Sequence, residues 1–177
     1  MRKSAVVICL ILAFFVTFFL QVNIFSLFTI AGVSPNLFVM FVLFIGLFAN
    51  QFLGISLGVL FGLILDFVYG RVIGTTAIML CVIGYLGSYF DKNFSKENKL
   101  TIMFMVAGAT LIYEFGLYFL NSIILDFSRE YFAFIKIALI ECLYNILLAI
   151  IFYPMVQKFG YLIDRTFKKN NILTRYF

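Results

Sequence analysis

Long apolar runs, broken by short polar links, dominate the chain. Ala5 to about Phe28 carries no charge, with Arg2 and Lys3 just before it, and Leu37 to Val68 carries none until Asp66. Further apolar runs cover about 73–90, 100–125 and 132–156; the polar stretch Asp91–Lys99 and the link Asp126–Tyr131 separate them. Stretches of about 20 apolar residues cross a hydrocarbon core about 30 Å thick. The Leu37–Val68 run is too long for one crossing: as a single helix rising about 1.5 Å per residue, it would overshoot that core by more than half. Asn50-Gln51 near its middle offers a tight polar turn, so two helices are predicted, about 35–50 and 52–69. Ser34-Pro35 reads as the start of the second helix, because Ser can cap and Pro is tolerated at the first helical position. Pro154 reads as the end of the last. The pattern thus predicts an all-α, polytopic membrane protein. It forms a single integral domain over 1–177, with six transmembrane helices at about 5–28, 35–50, 52–69, 73–90, 100–125 and 132–156 and a basic cytoplasmic tail over 157–177.

Charge gives the helices a direction. With the N-terminus inside, one side holds Arg2, Lys3, Lys92, Lys96, Lys99, Lys158, Arg165, Lys168, Lys169 and Arg175, while the other holds only Arg71 and Arg129. That asymmetry predicts a multi-pass inner-membrane protein with both termini cytoplasmic. No A-x-A cleavage site follows the first run, so it is expected to stay as a span.

Composition narrows the chemistry. Hydrophobic residues make up 64% and charged residues 12%, against about 25% charged in soluble domains, so lipid is the solvent that fits. The net charge of +5 is carried beside the spans and in no basic groove motif, so nucleic acid is not an expected partner. The chain has no His, the commonest general base and metal ligand. It has no zinc motif, phosphate loop or nucleophile motif either, so neither an enzyme nor a cofactor or metal is expected. Cys9, Cys81 and Cys142 lie singly in apolar runs and read as small hydrophobes.

Small residues mark the seams. Gly54, Gly58 and Gly62 recur every fourth residue and Asp66 continues the row, while the next span carries Gly74, Ala77, Cys81, Gly84 and Ser88 on one stripe. Such faces let backbones approach closely. The two stripes can pack on each other, or one can receive another membrane protein. Charges inside spans need a reason, at about 2.5–3.5 kcal/mol each on insertion scales. Asp66 can pair with Arg71 or cap the turn at Gly70. Glu114 and Glu141 lie at similar depth, with Asn145 one turn from Glu141 and Lys136 nearer the surface. They read either as a shared polar pocket, including a proton-linked pair, or as a hydrogen-bonded strut between the last two helices.

The order of these motifs resembles the MreD family. Ser34-Pro35-Asn36-Leu37 stands where that family has a Pro-Asp/Asn-Leu opening. Gly58 to Asp66 matches its Gly-rich helix ending in a G-L-L-x-D-like signature, and Gly70 to Gly74 matches its turn. Tyr144-Asn145 and Tyr153-Pro154 are also similar, while Asn36 stands where Asp is frequent. The resemblance implies a non-enzymatic scaffold of the elongation machinery that binds the single-span protein MreC. It also implies a link between MreB and the peptidoglycan synthases, RodA and its transpeptidase, and a fold similar to the six-helix substrate-binding subunits of energy-coupling-factor vitamin transporters. Pro35, Gly54, Gly58, Gly62, Asp66, Gly70, Arg71 and Gly74 are the expected partner-binding or packing residues; a second copy and membrane lipid are further candidate partners. The alternative function is such a transporter subunit itself, with Glu114, Lys136, Glu141 and Asn145 as ligand groups and the Ala5, Cys9, Ala13 row as a docking face.

Overall fold

The computed structural model describes residues 3–69, 72–125 and 131–167. Among them the chain forms α1 (Lys3–Leu20), a π-helical turn (Gln21–Phe25), α2 (Leu37–Phe48), α3 (Gln51–Tyr69), α4 (Thr75–Asn93), α5 (Lys99–Leu125) and α6 (Tyr131–Phe167). Lys3–Phe25, Gln51–Tyr69, Lys99–Ile124 and Tyr131–Phe167 are long and apolar enough to cross a membrane; α2 is apolar but short. The chain is therefore an all-helical, integral membrane protein.

The α2–α3 break falls at Ala49-Asn50, and Asn50 makes it. Its Oδ1 accepts the Leu53 amide at 2.8 Å and its carbonyl accepts the Gly54 amide at 2.9 Å, satisfying donors that a helix start leaves orphaned. Gln51 is the first residue of α3 rather than part of the turn.

The core of the bundle is α2, α3 and α4, sealed backbone to backbone. A Cβ on Gly54 would stand 2.7 Å from the Gly84 carbonyl oxygen, one on Gly58 would stand 2.9 Å from the Leu80 carbonyl carbon, and one on Gly62 would stand 2.7 Å from the Ala77 nitrogen. Gly46 of α2 and Gly87 of α4 close a second seam of the same kind, where Ser88 Oγ donates to the Gly46 carbonyl at 2.8 Å. The two small-residue stripes thus meet inside the chain, and the α3 glycine row has no room for a partner.

Elsewhere the helices are held by side chains. α1 buries only Val6, Leu10 and Phe14, and Phe14 stacks on Phe61 with ring centroids 4.0 Å apart. At the α4–α5 link, Lys96 is 5% exposed. Its Nζ pairs with Asp91 at 2.8 Å and Asp164 at 3.1 Å and lies 5.0 Å from the Phe48 ring centroid.

The expected boundaries change in three places. Helix α6 does not end at Pro154 but runs to Phe167 with the proline inside it. A proline within a helix removes one hydrogen bond, but the turns beyond it are held from outside. Tyr153 Oη donates to the Glu97 carbonyl at 2.6 Å, Lys96 bonds Asp164, and the Phe48 ring lies over Gly160. Second, α4 extends through Asp91, Lys92 and Asn93, which the polarity of that stretch assigned to a loop. Third, Ser34 does not cap α2. Asn36 does, with Oδ1 accepting the Val39 amide at 3.3 Å, and Pro35 stands outside the helix.

Candidate functional site

Three polar positions of α6 and α5 converge on the start of α2. Phe134, Ala138, Glu141 and Asn145 share one buried face of α6, at the three- and four-residue spacing that aligns side chains on a helix. Asn145 is fully buried. Its Oδ1 accepts the Asn36 amide at 2.9 Å and its Nδ2 donates to Thr110 Oγ1 of α5 at 3.0 Å. The Asn36 side chain meanwhile caps α2. Gln21, in the π-helical turn after α1, closes the same end from the other side: its Nε2 donates to the Pro35 carbonyl at 2.7 Å and its Oε1 accepts the Leu37 amide at 3.0 Å. Three backbone groups at the α2 start, the Pro35 carbonyl and the Asn36 and Leu37 amides, are thus satisfied by Gln21 of the π-helical turn and Asn145 of α6.

Glu141 extends this web. It is 7% exposed and lies against Glu114 of α5 and the Asn36 side chain. Tyr113 is buried next to both carboxyl groups and lies beside the side chains of Asn36 and Thr76. The expected closeness of Glu114, Glu141 and Asn145 is therefore present. Lys136 is not on this face. It stands exposed, roughly opposite the Phe134–Asn145 row of α6, since a residue two positions from a buried one points away from it on a 3.6-residue helix.

Thr76 connects the web to the α3–α4 link. Asp66 is 5% exposed, and its carboxylate accepts the backbone amides of Gly74 at 2.8 Å, Thr76 at 3.2 Å and Ala77 at 3.2 Å. It therefore sits on the amino end of α4, where orphaned N–H groups and the helix dipole both favour an anion. These amides belong to the start of α4. Gly70 and Arg71, the alternative ion-pair partner included, lie outside the described residues. Gly74 has φ +104° with nothing within 4 Å of a built Cβ, so glycine is needed there for its backbone angle.

Sequence reasoning missed Gln21, Thr76, Thr110 and Tyr113. Each is a common residue in an apolar helix, and only tertiary proximity gives it a partner. The donor set suits hydrogen bonding and helix positioning. Among the described residues no group of three or more His, Cys, Asp and Glu could hold a metal ion.

No curated protein and no solved structure matches the chain, so the expected similarity to energy-coupling-factor subunits has nothing behind it. A family model does match, over residues 1–162. Nearly the whole bundle lies within that match, α1 through the polar face of α6, and the chain belongs to the MreD family of rod shape-determining proteins.

Proposed function

We propose that the protein is a non-enzymatic membrane scaffold of the cell-elongation machinery, binding an MreC-like single-span protein. Through that partner it connects MreB to peptidoglycan synthesis by RodA and its transpeptidase. The observation that carries this reading is where the polar groups are used. Asp66, Asn36, Thr110 and Asn145 are bonded to backbone or to one another, so they fix helix positions instead of waiting for a substrate.

The same reading places both termini in the cytoplasm. In support, Lys92 bonds Gln51, Lys99 lies over Tyr153, and Lys96 bonds Asp164, which gathers the lysines around the α4–α5 link with the start of α3 and the far part of α6 at one end of the bundle. The opposite end then faces outward. With the α3 glycine row occupied, the partner contact moves to exposed apolar residues there: Ile73 beside the α3–α4 link and Tyr131 and Phe132 at the start of α6.

Depletion in a rod-shaped host is the test, paired with co-purification of the single-span partner. The scaffold reading expects rounded cells and loss of most recovered partner from an Ile73→Ser, Phe132→Ser variant present at wild-type level. Normal shape with a vitamin requirement would instead establish the transporter reading.

A further inference from the structure

Beside α1 the bundle is open. A cleft of about 440 Å³ lies between α1, α2 and α6, lined by Cys9 and Ala13 of α1, Phe44 of α2, and Met155, Gly160 and Leu162 of α6 among others. Its walls are apolar apart from the Cys9 thiol, and its volume is in the range of pockets that hold a small hydrophobic ligand, about 300–1,000 Å³. An extended hydrocarbon chain fits a slot of this volume.

The rim is basic. Met155, Lys158, Leu162 and Arg165 follow one another at three- and four-residue steps and so form one row of α6. Met155 and Leu162 line the cleft, and Lys158 and Arg165 are exposed on either side of Leu162 along that row. On the facing wall Lys3 is exposed one turn before Val6, another lining residue. Asp164, the acidic residue nearest in sequence, is already engaged by Lys96. Cations on both walls of a hydrocarbon-lined slot complement a ligand with an apolar tail and an anionic head. Lysine and arginine stems reach from apolar surface to the headgroup level.

We infer that this cleft is a binding site for one anionic phospholipid, with an acyl chain between α1 and α6 and its phosphate held by Lys3, Lys158 and Arg165. The site does not depend on the scaffold role. It uses the opening that α1 leaves when only three of its side chains are buried.

Native mass spectrometry of the purified full chain in detergent, titrated with palmitoyl-oleoyl phosphatidylglycerol or the matching phosphatidylcholine, tests it. We expect one retained phosphatidylglycerol, held at least about tenfold more tightly than phosphatidylcholine, and loss of that preference in Lys158→Glu, Arg165→Glu. Ala13→Phe, which fills the cleft, removes the adduct. A second readout covers a filled variant that fails to fold: in the wild-type chain, phosphatidylglycerol but not phosphatidylcholine shields Cys9 from a membrane-permeant maleimide, followed by peptide mapping. Equal retention of the two lipids, a phosphatidylglycerol preference that survives the charge reversal, or Cys9 labelling indifferent to the lipid would overturn the assignment.

Discussion

The α2–α3–α4 core and the three helices around it are joined in different ways. In the core, glycines on facing helices bring main chain against main chain, and no rotamer change could make room for a side chain. Around it, α1, α5 and α6 are joined through side chains: the Phe14–Phe61 stack, the Asn36–Asn145–Thr110 web and the Lys96 ion pairs. In lipid, where tails are as apolar as leucine, close packing and interhelical hydrogen bonds are the forces left to hold helices together. The core uses mainly the first and the surround mainly the second. The core consequently tolerates almost nothing, and the surround weakens by degrees and leaves room for a ligand beside α1.

The contrast can be broken at several strengths. The largest effect is expected from Gly54→Leu, whose side chain has no space at the Gly84 carbonyl. Overpacking usually costs about 1–3 kcal/mol where the core can shift; here the obstacle is backbone, so the variant should insert yet give no monodisperse folded protein by size-exclusion chromatography. Next comes Lys96→Met. Removing one member of a buried ion pair leaves the other charge stranded, at about 3–5 kcal/mol, and Asp91 is buried beside it. Denaturant titration in detergent should register that loss, with the released α6 end becoming sensitive to protease.

A smaller change is expected from Asn145→Ala, which orphans the Asn36 amide and the Thr110 hydroxyl. Interhelical hydrogen bonds in membranes are worth about 1–2 kcal/mol at most, so the folded protein should survive with a lowered Tm. Hydrogen exchange should rise first at the start of α2. Lys158→Glu, on an exposed position, should shift stability by no more than about 0.5 kcal/mol in thermal unfolding, even as it changes lipid preference.

How much of this was legible follows the same division. The α3 glycine row, the Asn50 turn and the buried Asp66 stand out because their signals are local: a four-residue period, a polar pair inside a long apolar run, one acid at a helix end. Gly46 and Gly87 are as tightly packed, but neither belongs to a repeating row, and their meaning exists only where α2 crosses α4. The closeness of Glu114, Glu141 and Asn145 was readable from depth along two antiparallel helices. Lys136 could snorkel outward or pair with either glutamate, and its exposure on another face of α6 is not visible from depth alone. Pro154 misled because the contacts that carry α6 past it come from Glu97, Lys96 and Phe48, far away in sequence.

The central claim, that this bundle is closed by backbone contact at its glycine seam, is tested most directly by making one identical substitution at two glycines. Thermal unfolding of purified Gly84→Ala and Gly108→Ala in the same detergent provides the comparison. A methyl on Gly84 meets the Gly54 carbonyl, and one on Gly108 meets nothing within 4 Å. The account predicts that Gly84→Ala loses about 2 kcal/mol or more, while Gly108→Ala is unchanged or gains up to about 1 kcal/mol from better helix propensity. Equal Tm values for the two variants would contradict it.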